Sequence, residues 1–345
     1  MMKRWFLFLL VTVTGCGAAE VHRSDNDVAS TAATPQVTGG FVTHEASVMG
    51  TELSISAFHQ DSAKAEAAIA DAIKEIRRVE DLATDWRPSP LMTLNRAAGD
   101  GPHVVPNELA ELIEKALVCS ELTEGAFDCT FRAVGELWDF KANPPRVPSH
   151  EQITAAMAKV GYQKVHASET VATITRPEGL WIGLGGIAKG YGVDRAMAVL
   201  MEHGIEHAIV NAGGDLKALG KNGSELWSIA IRHPRDQRRI IAVIPVSNAC
   251  VVTSGDYERF FELNGKRYHH ILDPRTGYPS TGAISATVVA PNAAAADALA
   301  TALCVLDPEQ GVALIEQLPR VEAIVVSLDG EVWSTTGLSP HSSKD

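Results

Sequence analysis

The chain has 345 residues, a formal net charge of −12 at neutral pH, and ordinary hydrophobic (46%) and charged (21%) fractions. That length allows one large domain or two with ample core, and the acidic balance argues against a nucleic-acid partner, which needs a basic patch. A phosphate ligand stays open, because a divalent metal reverses local polarity in an acidic protein.

At the start, Lys3-Arg4, an apolar run from Trp5 to Val13 and small residues before Cys16 form a secretory signal pattern. The run is too short to span a bilayer as a helix. Val13-Thr14-Gly15-Cys16 resembles a bacterial lipobox, whose cysteine carries the lipid of an anchored mature protein. Plain signal-peptidase cleavage nearby is the alternative. On the lipoprotein reading, residues 1–16 are the signal peptide and 17–40 a flexible tether. A folded domain then fills 41–337, and 338–345 is a polar tail. Export permits disulfides, yet Cys119, Cys129, Cys250 and Cys304 sit inside apolar patterns and read as buried free thiols. No CxxC pair suggests zinc or redox chemistry.

The domain opens with a predicted strand over Val48–Phe58, where Met49, Thr51, Leu53, Ile55 and Ala57 alternate with small or polar residues. Asp61 or Ser62 caps a helix with Ile69, Ile73, Ile76 and Val79 on one stripe. A second helix starts after Pro106-Asn107 and stops before Gly125; Asn143-Pro144-Pro145 marks a loop, and Ser149 caps a short helix ending at Val160-Gly161. A hairpin follows over 165–175, then a strand through Trp181, a glycine-rich turn, and a helix from Lys189 to His203. Strands are predicted at His207–Asn211, Leu226–Arg232, Ile240–Val246 and Ala249–Val252. Asn264-Gly265 is a two-residue hairpin signal, because a type I′ turn wants positive φ at both positions. A strand at Ile284–Ala290, helices over Ala293–Val305 and Pro308–Gln317, and a hairpin over Asp329-Gly330 complete the chain. Without regular βαβ alternation, the fold class is α+β with largely antiparallel mixed sheets flanked by helices.

Four places can carry chemistry. Gly183-Leu184-Gly185-Gly186-Ile187-Ala188-Lys189-Gly190 is a glycine-rich turn opening a helix. Exposed backbone N–H groups and the Lys189 charge suit an anion there; a plain strand-to-helix turn with a surface lysine is the alternative. Asn211-Ala212-Gly213-Gly214-Asp215 lets a ligand approach the backbone at its two glycines, with Asn211 or Asp215 to read polar edges, or is an ordinary loop. Asp297 and Thr301, at i,i+4, put two oxygens on one helical face. With alanines leaving room beside them they suit a hard cation such as magnesium, or form an exposed polar face. The fourth place is Tyr268-His269-His270-Ile271-Leu272-Asp273-Pro274-Arg275, where strand alternation sends the two histidines to opposite faces. His270 can act as a general base or be structural, while Asp273 and Arg275 either fix the turn or touch substrate. Gly125-Ala126-Phe127-Asp128 with Trp138 offers aromatics for a ring pocket, although core packing is the simpler account.

These pieces resemble the ApbE family of FAD:protein FMN transferases over about Met49 to Trp333. The motifs are MGT at 49–51, LNRAAG at 94–99, GAFDCT at 125–130, GGIAKGYGVD at 185–194, NAGGD, TSGDYERFF, HHILDPRTGYP and DALATAL. The resemblance implies a single catalytic domain of T-fold-related type, periplasmic and dependent on Mg2+, with Mn2+ as an alternative. It also implies transfer of FMN from FAD to a threonine or serine hydroxyl of a target flavoprotein, with release of AMP. Asp297 and Thr301, with a backbone carbonyl near Gly186, would hold the metal, and His270 would take the hydroxyl proton. Lys189 would lie near the pyrophosphate. Met49, the cluster Gly125, Phe127 and Asp128, and the loop Asn211, Gly213, Gly214 and Asp215 would line the FAD pocket, with Asp273 and Arg275 shaping its rim. The chain departs from the family at Gly183, where an aspartate is usual, and Cys129 stands where proline is common. FAD hydrolysis to FMN and AMP, or flavin binding without catalysis, are the competing readings.

Overall fold

The computed structural model describes residues 40–97, 99 and 101–338. The lipobox, Cys16 and all but the last residue of the tether lie outside this range, as does all but the first residue of the tail. Among the described residues no helix is long and apolar enough to cross a membrane.

Strands β1 (Gly40–Val48) and β2 (Thr51–His59) form a hairpin whose turn is Met49-Gly50, both at positive φ. The predicted strand over 48–58 is therefore interrupted: a two-residue turn of this hand joins antiparallel strands, and Met49 belongs to the turn. The expected alternation survives in β2, where Leu53, Ile55 and Ala57 are buried. Helix α1 (Ser62–Ala83) is capped by Asp61, whose carboxylate accepts from Ala63 N at 3.0 Å. The short helix α2 (Pro90–Arg96) was not foreseen; Ser89 caps it and proline starts it. Strand β3 (Pro102–Val104), helix α3 (Asn107–Leu122), the single turn α4 (Arg132–Gly135) and α5 (His150–Met157) follow. Ser149 and Gln152 close a capping box on α5, and the helix ends short of Val160.

Strands β4 (His166–Ser168) and β5 (Thr173–Thr175) pair with each other, and β5 also pairs with β3, in a small sheet. The segment through Trp181 joins no ladder: Asn95 clamps Ile182 instead, its amide donating to Ile182 O and its carbonyl accepting from Ile182 N, both at 2.8 Å. Helix α6 (Ala188–Glu202) leads to β6 (His207–Ala212) and β7 (Asp215–Leu219). The NAGGD loop is thus a hairpin turn. Gly213 stands at φ 57°, and a Cβ there would lie 2.1 Å from Thr51 Oγ1, so only glycine fits.

Strands β8 (Trp227–His233) and β9 (Asp236–Val246) form a separate hairpin, followed by β10 (Ala249–Gly255) and the predicted Asn264-Gly265 hairpin of β11 (Phe260–Leu263) and β12 (Lys266–His269). Last come β13 (Ala283–Ala290), α7 (Ala293–Val305), α8 (Pro308–Ile315), β14 (Glu322–Ser327) and β15 (Val332–Ser334).

The main sheet has eight strands in the order β1-β2-β6-β7-β10-β13-β14-β15, every neighbouring pair antiparallel. Helices α1, α6 and α7 belong to the largest core with the residues of one sheet face. On the other side the β8–β9 hairpin packs Trp227, Ile231, Ile244 and Val246 against Ala218, Val251 and Ile324. A third cluster joins Trp138, Ile153 and Leu272 beneath β11–β12. The α+β class with antiparallel sheets and flanking helices is as expected. Cys119, Cys129, Cys250 and Cys304 are all buried and free, and burial pushes their thiols well above the ordinary range.

Candidate active site

Helices α6 and α7 cross so tightly that a Cβ on Gly190 would lie 2.1 Å from Ala293 O. The close approach lets Gly190 N donate to Asp297 Oδ2 at 3.2 Å. Asp194, one turn further along α6, accepts from Ala294 N at 3.0 Å and pairs with Lys217 of β7. The start of α6, the start of α7 and the β6–β7 turn are thereby fixed around one point.

At that point Lys189, Asp215 and Asp297 meet. The Lys189 ammonium pairs with Asp215 Oδ1 and lies 3.9 Å from Asp297 Oδ1. Asp215 is fully buried, and beyond the Lys189 ammonium no donor reaches its oxygens among the described residues. Burial foremost, then the neighbouring Asp297, drive the Asp215 carboxyl well above the usual range, with Lys189 opposing. Burial pushes Lys189 down, but Asp297 and Asp215 together outweigh it and raise the ammonium above its ordinary value.

Thr301 follows Asp297 by one helical turn. Its Oγ1 is 3.5 Å from Ser254 Oγ on β10 and 3.6 Å from where a Cβ on Gly186 would stand. The Phe127 ring closes the other side of Gly186, 3.1 Å from that same position. Gly186 of the glycine-rich turn thus borders Thr301, the residue that helical spacing pairs with Asp297. Asp215, assigned to flavin binding, sits beside Asp297 instead of on an open loop. Two buried carboxylates that share the Lys189 ammonium offer the oxygen ligands that a hard cation takes. Among the described residues no three His, Cys, Asp or Glu converge as metal ligands, so a cation here would complete its shell from hydroxyl, carbonyl and water. The residues fit magnesium, which keeps several waters.

His270 follows the last residue of β12, held by its backbone N–H donating to Arg259 O at 3.0 Å. Its Nδ1 is buried without a partner. Burial, then Arg259, His269 and Lys189, lower its pKa to about 4. His269 points inward, and its Nε2 lies 3.1 Å from Ser280 O. A carbonyl only accepts, so Nε2 carries the proton, and His269 is the structural member of the pair.

Other expected residues hold the fold around the site. Asp128 accepts from Thr130 N (2.7 Å), the Thr130 hydroxyl (2.6 Å) and Tyr162 N (3.1 Å). Gly125 ends α3 through its N–H to Ser120 O. Asp273 accepts from Arg275 Nε and Nη2, both at 2.8 Å, within one turn. Asn211 is exposed and accepts from Gly214 N at 3.1 Å, and the Met49 thioether packs against Gly192 of α6. Trp138 is buried, its Nε1 donating to Gly277 O at 3.0 Å.

Ser254 carries no local signal of its own within TSGDYERFF, and only the fold brings its hydroxyl to Thr301. Asp85 carries no such signal either. A side chain at Gly183 would start 3.5 Å from Asp85 Oδ2, and Asp85 pairs with Arg132 at 2.9 Å. A carboxylate from the end of α1 already occupies the place where an aspartate at 183 would reach. Burial raises the Asp85 pKa, and Arg132 opposes that.

The model of the ApbE family matches residues 49–325. A FAD:protein FMN transferase of Treponema pallidum is 33% identical over 310 residues, covering 84% of this chain and 86% of the relative. The crystal structure of an ApbE protein from Thermotoga maritima superposes with a TM-score of 0.78 at 33% identity, covering 86% of this chain and 98% of that one. The flavin transferase ApbE of Vibrio cholerae gives a TM-score of 0.75 at 32% identity, again covering 86% and 98%.

Proposed function

The chain belongs to the ApbE family, and from that premise we infer that it is an FAD:protein FMN transferase. The observation that carries the mechanism is the meeting of Lys189, Asp215 and Asp297 beside Thr301 and Gly186, and His270 enters it through the HHILDP motif. We propose that Asp297, Thr301 and the Gly186 carbonyl hold magnesium, with Asp215 adding charge behind them. When bound, the metal supplies positive charge to the pyrophosphate and to the departing AMP. Phosphoryl transfer needs positioning and charge neutralisation more than covalent help from protein.

Lys189 orients the pyrophosphate against the acid cluster. The acceptor hydroxyl oxygen attacks the FMN phosphorus, the bond from that phosphorus to the bridging oxygen breaks, and AMP leaves. The hydroxyl proton passes to a ring nitrogen of His270, which its low pKa keeps neutral and ready to accept at working pH. Arrival of the negative pyrophosphate favours imidazolium and strengthens this base at the moment of need. Phe127, packed on Gly186, limits water at the same point.

The lipobox supports a lipid on Cys16, with the domain facing the periplasm and the acceptor a protein on that side. Purified protein given FAD, magnesium and a threonine-bearing peptide should add the mass of FMN to the peptide. Release of FMN and AMP alone would make it a hydrolase.

A further inference from the structure

We propose that the outward face of the β8–β9 hairpin is the docking surface for the acceptor polypeptide and selects acidic residues around its hydroxyl. The proposal rests on the transferase reading above. In a chain of net charge −12, residues 232–239 carry four arginines against one aspartate. The inward row of this hairpin is spent on the main sheet. Strand alternation and register turn Ser228, Ala230 and Arg232 outward opposite Pro245, Val243 and Ile240. Val243 is 48% and Ile240 57% exposed. Aliphatic groups laid beside arginines are the composition of an interface, not of a solvated face.

Position decides the occupant. Arg235 grips both oxygens of Asp256, each at 2.5 Å, and Arg267 approaches the same carboxylate at 3.8 Å. Arg267 lies on β12, three residues before His270. Asp256 therefore clasps the tip of the basic hairpin to the strand that delivers the imidazole. That link joins the hairpin tip to the strand that ends beside His270, which a polypeptide carrying the reacting hydroxyl would use and a membrane surface would not need. Arg238, 91% exposed and paired with Asp236 of its own turn at 3.2 Å, stands ready to meet a carboxylate.

The test uses two labelled peptides with one central threonine, one flanked by aspartate and glutamate and the other by asparagine and glutamine. Binding is measured by anisotropy without FAD. The parent should bind the acidic peptide about tenfold tighter, the sum of several exposed charge pairs. The double variant Arg238→Glu/Arg239→Glu should lose that preference while keeping its melting temperature and FAD affinity. Equal binding of both peptides by the parent, or an undiminished preference in the variant, overturns the proposal. So does a variant that loses only its binding to phosphatidylglycerol vesicles, which would make the face a membrane contact. Failure of the transferase reading shows separately, as absence of the FMN mass gain.

Discussion

Replacing Lys189 by methionine keeps the length of the side chain and removes the ammonium that faces two buried carboxylates. At 3.9 Å an ion pair is worth about 4 kcal/mol with an effective dielectric of 20, and the contact with Asp215 is closer. Part of the loss is recovered because Asp215, already driven upward by burial, takes up a proton instead of facing Asp297 as a second anion. A net destabilisation of about 3 kcal/mol remains, at the low end for breaking a buried pair from one side. At roughly 2–4 °C per kcal/mol for a domain near this size, that is a fall of about 6–12 °C in Tm. Calorimetry with EDTA measures it. Manganese or magnesium should then raise the melting temperature of the variant more than that of the parent, since the ion restores the missing charge. A variant melting within about 2 °C of the parent in EDTA, with no larger response to metal, would show that Lys189 does not compensate the acids.

His270→Ala should leave FAD affinity within about twofold and slow transfer by about 100-fold or more; an unchanged rate removes it as the base. Because His270 stays neutral down to a pKa of about 4, kcat/KM should hold level from neutrality to about pH 5 and fall as pH drops through about 4. The variant should lack that limb. The same depressed pKa makes the folded state bind fewer protons than the unfolded one between about pH 6.5 and 4, so stability falls with pH across that window. Asp297→Ala should abolish metal-dependent turnover and the metal response of the melting temperature, and full activity would remove the metal assignment. Gly183→Asp should cost about 1–2 kcal/mol by facing Asp85, and Asp85→Ala in the same chain should recover most of it. Additive losses in urea unfolding would show that the two positions do not share one carboxylate place.

The fold was legible wherever local chemistry and burial agree. Helices α1, α3 and α7 carry caps or apolar stripes that no tertiary contact overrides, and Asn264-Gly265 fixes its hairpin by backbone preference alone. The errors fall where a side chain far off in sequence decides. The stretch through Trp181 has strand composition, but Asn95 uses up the polar groups of Ile182 that a neighbouring strand would need. Met49 continued an alternating pattern, yet positive φ at 49 and 50 ended the strand, and Met-Gly is a weaker turn signal than Asn-Gly.

The site shows the same division at shorter range. Asp297 and Thr301 were readable as a pair because helical spacing is an internal ruler. Asp215 was not readable as their partner, since it comes from a hairpin 82 residues earlier in the chain. Its burial follows from the strand register that places Asp215 opposite Val252. What joins them is Gly190, whose missing side chain lets α6 and α7 close until Lys189 lies between both acids. A methyl group at Gly190, 2.1 Å from Ala293 O, would force the helices apart at a cost of about 1–3 kcal/mol. It would also draw Asp297 away from Lys189 and from the Gly190 N–H that holds it. Gly190→Ala should therefore weaken metal binding by more than its loss of stability predicts, measured as the manganese dissociation constant against the urea midpoint. Unchanged metal affinity in a destabilised variant would mean that the helix crossing does not set the position of Asp297.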